Sequence, residues 1–170
     1  DLYYHCNQKI TQDFFDEFSA ELFNGAVAHT GVGKEGDYIR WHYQGWRVNA
    51  NYKTDRNGGY NLNITYKMYY LSDASQESQM DQAVSNALKS LNLSNKTDYQ
   101  KIKAIYDYIC SNITYDYVNL NDDSYLLKHT AYAALINKTA VCQGYATLFY
   151  RLSLEAGVDT RVITGDPGGP

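Results

Sequence analysis

The stretch TAVCQGYATLFYRL, residues 139–152, contains the residue best suited to do chemistry, Cys142. Ala146, Phe149, Leu152 and Ala156 follow it at helical spacing, and Gly157 supplies a natural stop. The spacing predicts a helix with a sulfur at its N-terminus. Unpaired N–H groups at such an end carry partial positive charge and favour a thiolate, the form of cysteine that attacks an electrophile. The same N–H groups point at any oxyanion formed beside the sulfur. Gly144 removes a side chain near that point, which would let a substrate backbone come close. The plainer reading is that a cysteine opening an apolar helix is packing material. A nucleophile also needs a base and a group to orient it.

The other reactive residues offer less. Cys6 and Cys110 complete an odd set of three cysteines. No CxxC occurs, and no Cys/His spacing resembles a zinc site, so neither metal nor cofactor is expected. Cys110 lies beside an apolar helical stripe and reads as core. Cys6, next to His5, reads as an exposed thiol or half of a disulfide. Gly31, Gly33 and Gly36 spell GxGxxG, but a strand-like run, YIRWHY, follows them where a phosphate site needs a helix. Tyr115 and Asp116, which close the phrase NITYD, read as making a structural hydrogen bond rather than doing chemistry. Trp41 and Trp46 read as hairpin core.

These residues must be held by elements, and the chain punctuates itself clearly. Phe14, Phe15, Phe18, Leu22 and Phe23 form one stripe of a helix over 10–23. Residues 38–53 and 60–71 read as a β-hairpin. Tyr60, Leu62, Ile64, Tyr66, Met68 and Tyr70 recur at period two, DRNGG supplies turn chemistry between the arms, and Gly45 suggests a bend. Met80, Ala83, Val84, Ala87, Leu88 and Leu91 predict a helix over 76–91. LNLSNKTD is a polar break. After it, Asp98 is placed to cap a helix carrying Ile102, Ile105, Tyr106, Ile109 and Ile113. A polar aromatic loop, a helix over about 128–137, the Cys142 helix, a short buried strand DTRVITG and a DPGGP turn complete the pattern. The expected division is an appendage over 1–93 and a second domain over 98–170.

The 170 residues carry 44% apolar residues, enough for a core, and a net charge of −4. That charge argues against nucleic acid or anionic membrane as partners. No apolar run nears the ~20 residues of a membrane span. The chain opens at Asp1 without an export signal and is rich in tyrosine, with 18. This suggests a processed extracellular or cell-surface protein. Sequons at Asn63, Asn92, Asn95, Asn112 and Asn137, several within predicted elements, suggest a bacterial source.

Over residues 98–165, the ordered set NITYDY, then CQGYA, then a helix, Ala-Gly and a strand ending in Thr-Gly resembles the core of the transglutaminase-like superfamily. It is similar in particular to versions in secreted proteins of Gram-positive bacteria. The resemblance implies an α+β fold: a helix, hairpin and helix appendage, followed by the helical first half of a papain-like core. It implies that Cys142 attacks a carbonyl or carboxamide of a protein or peptide substrate. A later His would act as base and a later Asp or Asn would orient it. Water or an amine would resolve the acyl-enzyme, giving hydrolysis or a crosslink. Gln143, Gly144 and Tyr132 are the candidates to line the site.

All four histidines, His5, His29, His42 and His129, precede Cys142. His129 and Asp166 read as surface, capping or turn residues rather than catalytic partners. The expectation is therefore a core cut short of its His and Asp and inactive as this chain. Association with itself or with the missing fragment is expected to cover the open edge at TRVITG. The partners could instead come from a second chain. The alternative is a non-catalytic extracellular binding module on the same fold.

Overall fold

A computed structural model describes residues 2–165. Asp166 and the DPGGP turn lie outside the described residues. The fold is α+β, and packing divides the chain into two units, each interrupted by the other in sequence.

The first unit comprises 2–26 and 43–70 of the described residues. It holds β1 (Leu2–Cys6), α1 (Gln12–Ala26), β2 (Tyr43–Thr54) and β3 (Tyr60–Tyr70). The sheet is antiparallel in the order β1-β3-β2. The period-two pattern does what pleat geometry requires: Leu62 and Ile64 are buried while Asn61, Asn63 and Thr65 are exposed. Phe14, Phe15 and Phe18 of α1 pack onto these residues, with Cys6 beside them. Cys6 is thus a buried, free thiol, not an exposed one or half of a disulfide. The register shifts between Tyr43 and Gly45, where the glycine suggested a bend. Trp46 packs against Phe23, Tyr43 and Tyr66. The hairpin is shorter than expected at its start, because residues 37–42 are helical. Strand β1 is an addition, since LYYHC carries no clear alternation of its own.

The second unit comprises 27–42 and 71–165 of the described residues. It holds α2 (Asp37–His42), α3 (Ala74–Leu91), α4 (Asp98–Asn112), β4 (Thr114–Tyr115), a 3-10 turn (Leu126–His129), α5 (Ala131–Leu135), β5 (Thr139–Ala140) and α6 (Cys142–Glu155). Met80 and Val84 of α3, Ile105 and Ile109 of α4, Ala131, Ala133 and Ala134 of α5 and Leu148 and Leu152 of α6 share one core. This shared core shows why the division does not fall at the LNLSNKTD break. That segment is only a connection, and helix α3 packs on α5 and buries its stripe in the core it shares with α4 and α6.

Caps fix the helix starts. Asp73 and Thr97 each form a reciprocal capping box, with Gln76 and Gln100 respectively. The cap of α4 is therefore Thr97, with Asp98 in the first turn, where its charge complements the helix dipole. The helix expected over 128–137 is broken at Thr130, whose extended backbone separates the 3-10 turn from α5. Cys110 is exposed, on the outer side of α4. The expected strand in DTRVITG is absent, and Ile163 is 89% exposed.

Candidate functional site

Strands β4 and β5 are two residues each and pair in parallel, Thr114 with Thr139 and Tyr115 with Ala140. Two further bonds extend the ladder, from Thr114 N–H to Lys138 O at 2.9 Å and from Asp116 N–H to Ala140 O at 3.0 Å. Helix α6 begins two residues after Ala140, so this short ladder fixes where Cys142 emerges.

Cys142 is the first residue of α6 and is exposed. Its helix differs from α3, α4 and α5 in having no side-chain cap, since Val141 occupies the capping position. The first-turn N–H groups are left without a capping side chain, as an oxyanion acceptor would need. Gln143, the next residue, donates from Nε2 to Trp41 O at 2.6 Å. The Trp41 indole N–H is buried and has no partner among the described residues. Tyr145, one turn beyond Cys142, donates its hydroxyl to Ile113 O at 2.9 Å. Its ring lies 6.1 Å from that of Tyr115, which lies 4.9 Å from the 76% exposed Tyr117.

Gly144 does not open the site to a substrate. It is buried, and a Cβ there would stand 2.7 Å from the Ala140 Cβ and 2.8 Å from Thr130 O. Its lack of a side chain lets the first turn of α6 press against β5 and the start of α5. Tyr132 on α5 is half-buried, and its hydroxyl donates to Gln79 Oε1 of α3 at 3.1 Å.

None of the four imidazoles is bonded to Cys142. His5 pairs with Asp55 in the first unit. His29 pairs with Asp159 at 2.7 Å. His42 is buried; its Nδ1 donates to Tyr38 O at 2.8 Å and its Nε2 accepts the Ala131 N–H at 3.1 Å. Nε2 serves the start of α5 while Nδ1 ties the ring back to α2, and burial holds the ring below the ordinary imidazole value. His129 is half-buried, and burial, with repulsion from Lys128, also pushes it down. Among the described residues no three His, Cys, Asp or Glu side chains gather as metal ligands. Asp116 is the structural group its sequence context suggested: it accepts both the backbone and the side-chain N–H groups of Asn119.

The Gly-rich loop packs on the back of α6. Gly33 approaches Glu155 and Arg151, and Gly36, at φ 58°, meets the Tyr150 hydroxyl. Arg151, 1% exposed, is held by Asp81 and Glu155 and lies over the Tyr38 ring. No motif in the sequence marked the structural roles of His42 and Lys128. The available signal for Lys128 was a lone lysine inside YLLKHTAYAAL, a mostly apolar run.

The profile of the transglutaminase-like superfamily matches residues 85–170. Kyphoscoliosis peptidase of Homo sapiens is 32% identical over 97 residues, which cover 56% of this chain and 14% of that protein. No solved structure matches the chain significantly. The matched segment runs from the second half of α3 through Cys142 and its helix, and by that match the chain belongs to the transglutaminase-like superfamily.

Proposed function

We propose that Cys142 is the nucleophile of a thiol acyl-transfer site acting on protein or peptide carboxamides. The observation that carries this reading is an exposed thiol on the first residue of an uncapped 14-residue helix, inside the segment that matches the family. Sulfur would attack the carbonyl carbon, forming a C–S bond. The C–N bond would break, and the amine or ammonia would leave with the thiol proton. Water would then release an acid, or an amine would form a crosslink, and either would return the thiol. The first-turn N–H groups of α6 would face the oxyanion.

A second reading, a binding module that retains the fold without catalysis, is favoured by the placement of the histidines. All four are committed elsewhere or unbonded to Cys142.

Alkylation discriminates between the two, because the chain contains its own reference thiol. Cys110 is also exposed but sits in the last turn of α4, the negative end of a helix, whereas Cys142 sits at a positive end. Limiting iodoacetamide at pH 7, read by peptide mass spectrometry, should label Cys142 about tenfold faster than Cys110. Equal rates would favour the binding module. Incorporation of a labelled amine into a glutamine peptide, abolished by Cys142→Ala, would establish the transfer itself.

A further inference from the structure

The loop 116–125, between β4 and the 3-10 turn, has no regular structure yet is closed at three points. At its start, Asp116 N–H donates to Ala140 O, two residues before the nucleophile. Across its first half, the Asp116 carboxylate clasps Asn119 through bonds of 2.9–3.0 Å. At its centre stands Lys128, only 1% exposed. The Lys128 ammonium donates to three loop carbonyls: Asn119 O at 2.7 Å, Leu120 O at 3.1 Å and Asp122 O at 2.7 Å. A buried ammonium has three donors to satisfy, and here all three go to backbone of one loop.

The same residue holds the other side of the site. Lys128 O accepts the Val141 N–H at 3.0 Å, and Val141 is the residue on which α6 starts. Lys128 O also lies 3.2 Å from where a Gly144 Cβ would be, so it is packed against the first turn. One residue thus grips the loop with its side chain and the N-terminus of the Cys142 helix with its backbone. The helix has no side-chain cap to set its first turn. The titratable groups that interact with Lys128 are Asp116, Asp122 and His129. Asp116 and Asp122 are held below the usual carboxylate range, chiefly by hydrogen bonds from Asn119 and Ser124 respectively, with Lys128 adding to both. Asp123 and Lys128 act on His129 in opposite directions.

We propose that Lys128 is the positioning residue of the Cys142 site: its buried ammonium fixes the loop 116–125 as one wall and, through Lys128 O and Val141 N–H, holds the first turn of α6 in the orientation the nucleophile uses. The inference rests on the proposed role of Cys142.

The test uses the ratio of Cys142 to Cys110 alkylation across pH 6–9, with Cys110 as internal reference, on the full chain at a temperature where circular dichroism shows it folded. Lys128→Met, which fills the same space without donors, should reduce the ratio by about tenfold and open the loop 116–125 to proteolysis. Lys128→Arg, which restores a charged donor, should recover part of the ratio. If Lys128→Met does not fold, Asn119→Ala releases the clasp at the other end of the loop and should reduce the ratio severalfold on its own. A merely structural lysine would lower the melting temperature and leave the ratio and its pH profile unchanged, and that outcome overturns the proposal. If the unaltered chain labels Cys142 no faster than Cys110, the nucleophile reading itself falls and the positioning role falls with it. If the unaltered chain shows the preference and both variants keep it, only the role of Lys128 is lost.

Discussion

Gly144 shows how a single residue can fit two arguments and obey one. Beside a nucleophile, a glycine suggests room for substrate. In the folded chain it is a point of close packing between α6 and the segment before it, with Ala140 Cβ and Thr130 O already inside van der Waals distance of a methyl. Neither neighbour is a flexible side-chain end, so Gly144→Ala must shift β5 or α5. Overpacking of this kind costs ~1–3 kcal/mol. The expected outcome is a lower urea midpoint together with slower Cys142 alkylation, because the turn that bears the sulfur must move. An unchanged midpoint would mean that the site has slack the geometry does not show.

The thiols give a second prediction at this scale. Cys110 and Cys142 should react with a disulfide reagent in the native chain, and Cys6 only after unfolding, since it is buried under α1. The sequence placed Cys142 correctly at a helix start, because periodicity reports helix ends. It misplaced Cys110 and Cys6, because one residue beside a stripe can fall on either side of it.

At the scale of elements, α5 is the most dependent on its neighbours. It has five residues, too few to be stable alone. Its start is held by the Thr130 hydroxyl, which accepts the Ala133 N–H at 3.1 Å, and by His42, which accepts the Ala131 N–H. The run YIRWHY reads as a strand from its aromatic and branched residues. Its residues 38–42 lie in helix α2, where the His42 ring bonds Tyr38 O one turn back and is left to accept the Ala131 N–H, and that second bond is a tertiary constraint. This pairing gives a pH dependence with a definite sign. Burial lowers the folded His42 value below 6.5, so the unfolded chain binds a proton that the folded chain refuses. The contribution is fully present above about pH 6.5 and is lost progressively as pH falls below it. His129 is shifted in the same direction and adds to the slope. His42→Leu should cost ~1–3 kcal/mol at pH 7.5, by leaving the Ala131 N–H and Tyr38 O without their partner, and should flatten the loss of stability between pH 6.5 and 5. Urea unfolding of both proteins at four pH values checks this. A variant that loses stability with an unchanged slope would assign the acid sensitivity to other groups.

At the scale of the whole molecule, the division by packing differs from the division by sequence because chain order and spatial order diverge. A polar break such as LNLSNKTD marks a connection, and nothing in its composition says whether the helices on either side share a core. Residues 27–42 carry the same lesson: they lie between parts of the first unit in sequence and belong to the second in space. Where the chain leaves the second unit and returns, His42 O accepts the Leu71 N–H at 2.8 Å, so the ends of the 28-residue insertion 43–70 are already hydrogen-bonded to each other. An insertion whose ends meet can be replaced by a tight turn without stretching its host. A chain beginning at Val27, with residues 43–70 replaced by a short Gly-Ser turn, should therefore keep the core of Met80, Ile105, Leu148 and Leu152. It should unfold cooperatively, with a helical spectrum and a Cys142 to Cys110 alkylation ratio like that of the full chain. The removed segments contain the sheet and α1, which contribute nothing to that core. If the shortened chain instead has no cooperative transition, the two units depend on each other for folding. The family core in this protein would then need the inserted sheet as part of its structure.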